Sequence, residues 1–128
     1  MTTSTPAIAV IDGKLCRLRR TGTVASSHEP LATSVLEFRQ TPTRLYVREL
    51  PYGLLPGIPN LYCLDPDFRM LWIAEWPLPN DPCGKIVEDT DDLLVTESVT
   101  GATIRIDAGT GRVIEVQERH PAAAQPAN

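Results

Sequence analysis

Leu61-Tyr62-Cys63-Leu64-Asp65-Pro66-Asp67-Phe68-Arg69-Met70-Leu71-Trp72 is an apolar alternation, an aspartate, a tight turn and a second apolar run. The phrase returns as Thr103-Ile104-Arg105-Ile106-Asp107, through Thr110-Gly111-Arg112, into Val113-Ile114. Successive strand residues point to opposite faces, so each phrase reads as a β-hairpin. Asp65 and Asp107 stand 42 positions apart. A recurrence of ~40–45 residues is the length of one four-stranded unit in a repeat architecture.

The chain around these phrases is punctuated by twelve prolines and eight glycines, and no window keeps a helical period. Ala7-Ile8-Ala9-Val10-Ile11 and Lys14-Leu15-Cys16-Arg17-Leu18 flank Asp12-Gly13, a pair suited to the two positive-φ positions of a type I′ hairpin turn. The polar stretch 21–30 reads as a loop. Residues 27–40 admit two readings. Ser26 and Glu29 have the spacing of a helix capping box, whereas 34–39 alternates and leads through Thr41-Pro42-Thr43 into a strand over 44–50. We favour the hairpin. Segments 51–60 and 77–84 are Pro-rich loops, the first with apolar tips at Leu54 and Leu55. Strand pairs are expected at 61–64 with 70–76, 86–88 with 93–97, and 102–106 with 112–116. The tail 119–128 is small, polar or Pro-broken and is expected to be disordered.

Met70-Leu71-Trp72-Ile73-Ala74 and Leu93-Leu94-Val95 are apolar on both alternating faces. Such strands are expected to be covered on both sides, as in a blade stacked between two others. The phrase at 61–72 resembles the blade repeats of quinoprotein-dehydrogenase-like (PQQ-type) β-propellers, and 104–114 is similar to the same motif through its Asp-x-x-Thr-Gly turn. The resemblance covers about 44–116. Phe68 stands where that turn has Gly, and Ile114 where the second repeat would have Trp. It implies that the Asp and Thr tie the turn and that Trp72 packs between blades. No stretch matches a quinone-binding segment, and no cofactor is expected.

The expected fold is therefore all-β, with antiparallel blade-like meander sheets in an incomplete propeller-like stack. Residues 1–118 would form one domain of two to three units. The alternative is a small sandwich or barrel in which the first 43 residues cap the rest. Closed propellers need about 4–8 blades, so an arc of this size has open ends, and copies are expected to meet there as a homo-oligomer.

The composition narrows the function. A net charge of −4 argues against nucleic-acid and anionic-membrane surfaces, which need clustered cations. Arg17, Arg19 and Arg20 are the one basic cluster. No run approaches the ~20 apolar residues of a membrane span. The first residues lack a basic region and 7–11 is too short for a signal peptide, so the expected location is the cytoplasm. Cys16, Cys63 and Cys83 suit free thiols in a reducing compartment. Glu88-Asp89-Thr90-Asp91-Asp92 reads as a solvated turn, and Asp65 as a cap on its own turn. Cys83 is placed in an exposed loop, where a nucleophile would need His28 or His120 as base. Trp72 and Trp76 are placed on one face of one strand.

No catalytic, cofactor or metal residues are assigned. The reading is a non-enzymatic protein-interaction or scaffold module, self-associating through blade faces and meeting an unidentified protein partner. Its candidate ligand or interface residues are Tyr52, Leu54, Leu55, Trp76 and Cys83. The alternative is a small-ligand-binding protein or enzyme with its site at the oligomer interface.

Overall fold

The computed structural model describes residues 7–119. Eleven strands follow one another: β1 (Ala7–Ile11), β2 (Lys14–Leu18), β3 (Val24–His28), β4 (Val35–Gln40), β5 (Leu45–Glu49), β6 (Leu61–Leu64), β7 (Met70–Ile73), β8 (Cys83–Asp89), β9 (Leu93–Ser98), β10 (Thr103–Asp107) and β11 (Val113–Gln117). They pair only with chain neighbours, giving three antiparallel meanders: β1-β2-β3, β4-β5-β6-β7 and β8-β9-β10-β11. Among the described residues there is no helix, and no sheet closes into a barrel. The sheets stack as an incomplete array of blades, approaching along β1, β4 and β8. The expected tail lies outside the described residues apart from Arg119.

The middle sheet is covered on both faces, and every residue of β5 and β6 is buried. Leu45, Val47, Tyr62 and Leu64 face the first sheet, with Leu15 and Val35. Tyr46, Leu61, Cys63 and Trp72 face the third, with Ile86, Leu94, Ile104 and Ile106. The alternation along each strand thus serves two cores at once.

The repeated phrases occupy the same place in their sheets, the hairpin between third and fourth strands. Asp65 Oδ1 accepts the amides of Asp67 and Arg69 at 2.8 and 2.9 Å, and Asp107 Oδ1 accepts those of Gly109 and Thr110 at 2.8 and 3.1 Å. The first sheet contains a third copy that its side chains conceal. Arg19 and Gly22 close the β2–β3 turn with the hydrogen bonds that Asp65 and Phe68 make, and that Asp107 and Gly111 make in a turn one residue longer. Gly22, Phe68 and Gly111 all have positive φ, at 88°, 67° and 79°. All three hairpins also carry a register shift one residue before the turn-closing position.

The copies dock through one large ring per interface. The Trp72 indole lies over Gly111, where an added Cβ would come within 2.6 Å of the ring, and its Nε1–H donates to the Ala108 carbonyl at 3.0 Å. In the first sheet the position matching Trp72 is Ser26, across from Arg17. Here the ring comes from the turn instead. Phe68 fills the Gly111 position and packs toward the first sheet, 5.4 Å below the Arg17 guanidinium. Burial of the phenyl ring offsets the left-handed backbone that a non-glycine residue resists.

Two strand expectations are corrected, and the favoured hairpin over 34–50 is found. Val24–His28 is a strand, not a loop, because it completes the first sheet as its polar outer edge. Residues 35–40 are a strand paired with β5, so no helix forms there. β7 is covered on one face only. Met70, Leu71 and Ile73 are 41%, 48% and 50% exposed, since β7 is packed closely only by its neighbour β6 and no other sheet lies over that face. Two-sided burial does hold for Leu94 and Val95.

Candidate functional site

The connection that leads into the repeated hairpin differs sharply among the copies. It spans 12–13 between β1 and β2, 99–102 between β9 and β10, and 50–60 between β5 and β6. An insertion in one repeat alone is not needed to build the repeat, and such insertions gather on one face, where repeat proteins bind. The loop 50–60 is laced to its neighbours at that end of the stack. Leu50 N donates to Ser34 O and Gly57 N to Pro79 O, at 2.7 and 3.0 Å, and Val99 N to Pro82 O at 2.9 Å ties two neighbouring connections to each other.

Among the described residues, shallow cavities border this loop, three of them of appreciable size. One of about 280 Å³ lies between Leu31–Thr33 and the Leu54–Leu55–Ile58 side. One of about 180 Å³ lies between Leu54, Leu55 and Pro79–Pro82. The third, about 320 Å³, lies between Tyr52, Leu36 and Val99 and is floored by Arg48, Lys85 and Ser98. Tyr52 and Leu55 are 69% and 72% exposed, and Leu31 and Ile58 are exposed beside them. An aromatic and several aliphatic side chains are thus held clear of the core on and beside this one loop, Leu31, Leu55 and Ile58 around one cavity and Tyr52 at the next.

The structure brings Tyr52, Leu54 and Leu55 together here and separates the other two candidates. Trp76 lies beyond β7, not within the same strand as Trp72. Its ring packs on the core beneath Gly57–Pro59, and its Nε1–H donates to Asp81 O at 2.8 Å. It props the loop from below. Cys83 is fully buried at the start of β8, contrary to the exposed-loop expectation. Asn60 holds it there. The Asn60 amide receives Cys83 N at 3.0 Å and donates to the carbonyls of Cys83 and Glu49 at 2.9 and 2.8 Å. Burial pushes the Cys83 and Cys63 thiols up to about 12, so neither is a thiolate near neutral pH.

Beneath the patch sits a polar cluster the sequence reading missed. Glu49 is fully buried, and its carboxylate accepts the amides of Leu31, Ala32 and Thr33 at 2.7, 2.9 and 3.0 Å and the Tyr62 hydroxyl. With the Tyr62 proton committed to Glu49, His28 Nε2–H donates to the Tyr62 oxygen at 2.7 Å. Glu49 therefore fixes the loop that carries Leu31. Its only sequence signal was a charge at the end of an apolar strand. The acidic run after Glu88 ties the β8–β9 turn to the middle sheet: Asp89 pairs with Arg39 at 3.1 Å and the Asp91 carbonyl accepts from Arg44.

This cluster is expected to make the fold acid-sensitive. Burial holds His28 below its ordinary 6.5, outweighing the pull of Glu49 and Glu29. Burial alone would raise Glu49, but hydrogen bonds from Tyr62, Thr33, Leu31 and Ala32 bring it below 4.5. For each group the unfolded chain binds protons more readily, so stability falls with falling pH, from about 6.5 for His28 and from about 4.5 for Glu49. Thermal melts are expected to be level above pH 7 and to decline in these two stages. A melting temperature unchanged down to pH 4 would contradict the assignment.

No protein-family model and no curated protein sequence matches the chain. Among solved structures, the crystal structure of the computationally designed Ika8 protein is similar over 94% of this chain, with 12% identity and a TM-score of 0.67. This chain spans only 36% of that one. A likeness at this identity speaks for the fold alone.

Proposed function

We propose that the chain is a non-enzymatic protein-interaction module that presents the 50–60 loop patch on a stack of blade-like sheets. The observation that carries this reading is the insertion itself. It occurs in one repeat of three, and it holds Tyr52 and Leu55 clear of the core they would otherwise help to cover. The kinship with quinoprotein-dehydrogenase-like blades remains part of this proposal, as an ancestry for the units and not as a cofactor site.

Replacing Tyr52 and Leu55 together by serine is expected to change stability by no more than about 0.5 kcal/mol per site. It should abolish retention of partner proteins from a cell extract, while Leu71→Ser on the outer edge leaves retention unchanged. Equal retention by all three proteins would refute the reading.

Self-association is the second element, favoured by the open ends of the stack. β1 is an uncharged apolar edge, Ala7-Ile8-Ala9-Val10-Ile11, and such edges pair with other strands. The outward side of the third sheet carries cross-strand ion pairs, Lys85–Glu97 and Arg105–Glu115. Association at the first sheet is therefore the better match. Light scattering at micromolar concentration is expected to give twice the mass of one chain. The mass of a single chain would rule association out.

A further inference from the structure

We propose that the cavity between Arg48 and Lys85 receives a carboxylate carried beside an apolar side chain on the partner protein. This inference rests on reading the 50–60 patch as a docking surface and names the partner's chemistry. Arg48 is only 9% exposed, yet it borders the 320 Å³ cavity. Glu37 Oε1 takes its Nε–H at 2.6 Å and also accepts Ile86 N at 3.2 Å. That carboxylate engages one edge of the guanidinium and fixes its plane. Among the described residues, no acceptor is bonded to the two terminal nitrogens of Arg48. A planar fork held by one edge presents the geometry that binds a carboxylate through two parallel hydrogen bonds.

The rest of the lining agrees. Lys85 adds a second cation, more than half exposed, whose own partner Glu97 Oε1 is 3.7 Å away. Each cation has one carboxylate partner, Glu37 for Arg48 and Glu97 for Lys85, so what the cavity offers an incoming carboxylate is the terminal nitrogens of Arg48 and the loosely paired Lys85 ammonium, not an excess of charge. Leu36, Tyr52 and Val99 form an apolar lip, and Pro51 joins this cavity to the one lined by Leu54 and Leu55. A partner segment with an acidic residue next to an aromatic or aliphatic one satisfies both parts. At about 320 Å³ the space lies at the small end of the ~300–1,000 Å³ range of ligand pockets, suited to a short segment.

The test is an NMR titration of the full chain with N-acetyl-glutamyl-phenylalanine amide and, separately, its glutaminyl counterpart. The acidic peptide is expected to shift the amides of Tyr52, Gly84, Lys85 and Val99 and the Arg48 Nε–H resonance in a saturable way. The glutaminyl peptide should bind about tenfold more weakly, the loss of one charge-assisted contact. Arg48→Gln should erase the preference. Because that change leaves Glu37 without its partner, Lys85→Met on an exposed stem serves as the second variant and should reduce it severalfold. Equal binding of the two peptides around Tyr52 and Leu55 overturns the carboxylate site and leaves the docking surface standing. The absence of any saturable shift at Arg48 also overturns it.

Discussion

Trp72→Ala is expected to lower the unfolding free energy by about 3–5 kcal/mol, the range for deleting a buried aromatic ring. The ring is the main body between the second and third sheets, and it satisfies the Ala108 carbonyl through its indole N–H. Deleting it opens a cavity against Gly111, whose turn has no side chain to fill the space. Trp72→Phe keeps part of the ring but leaves that carbonyl without its donor, so a smaller loss is expected. Gly111→Ala attacks the same contact from the other side. Its Cβ would meet the indole at 2.6 Å on a backbone with φ of 79°, so neither the turn nor the ring accommodates it. Urea unfolding followed by circular dichroism measures all three. A loss under about 1 kcal/mol for Trp72→Ala would mean that the ring does not hold the sheets together.

Glu49→Ala should be damaging, by about 2–3 kcal/mol, because it leaves the buried Tyr62 hydroxyl and three part-buried amides without an acceptor. The amides of Leu31, Ala32 and Thr33 and the hydroxyl of Tyr62 all point at this carboxylate. Its loss should free the 29–34 loop, and with it one wall of the apolar patch. Glu49→Gln keeps the shape and one oxygen acceptor but loses the charge, so an intermediate loss is expected. The second stage of acid destabilisation should shrink in both variants, leaving the part that Asp81 contributes, since there too burial is outweighed by hydrogen bonds, from Ser98 and Thr100, that hold the carboxyl low. Full stability in Glu49→Ala would show that the loop is held by its packing alone.

Much of the architecture was legible because it is written in local turn chemistry. Asp12-Gly13 and the Asp65 and Asp107 caps need only near neighbours, and the 42-residue recurrence placed two hairpins in equivalent sites. The third copy was not legible. Arg19-Arg20-Thr21-Gly22 reproduces the turn through its backbone and one glycine, with neither the aspartate nor the tryptophan that marks the others. β3 was missed for a related reason, since an outer edge strand carries polar residues that look like loop. β7 misled in the opposite direction. Its apolar outer face is an edge exposed to solvent, and alternation cannot distinguish that from a face covered by a neighbour.

The patch was partly visible as apolar residues stranded in a Pro- and Gly-rich loop, which is how Tyr52, Leu54 and Leu55 stood out. Cys83 was misplaced because its burial depends on Asn60, 23 residues earlier in the chain. Arg48 and Glu49 were invisible for the same kind of reason. Their roles are set by Glu37 and by the 31–33 amides, contacts that only the folded stack creates.

The account depends on successive sheets being copies of one unit, docked by a ring from one sheet on the turn of the next. The nuclear Overhauser spectrum of the Trp72 side chain tests this most directly. Strong cross-peaks from the indole ring to the Gly111 α-protons, with an indole N–H protected from exchange, are the predicted result. An indole that exchanges freely and shows contacts only within its own hairpin would contradict it.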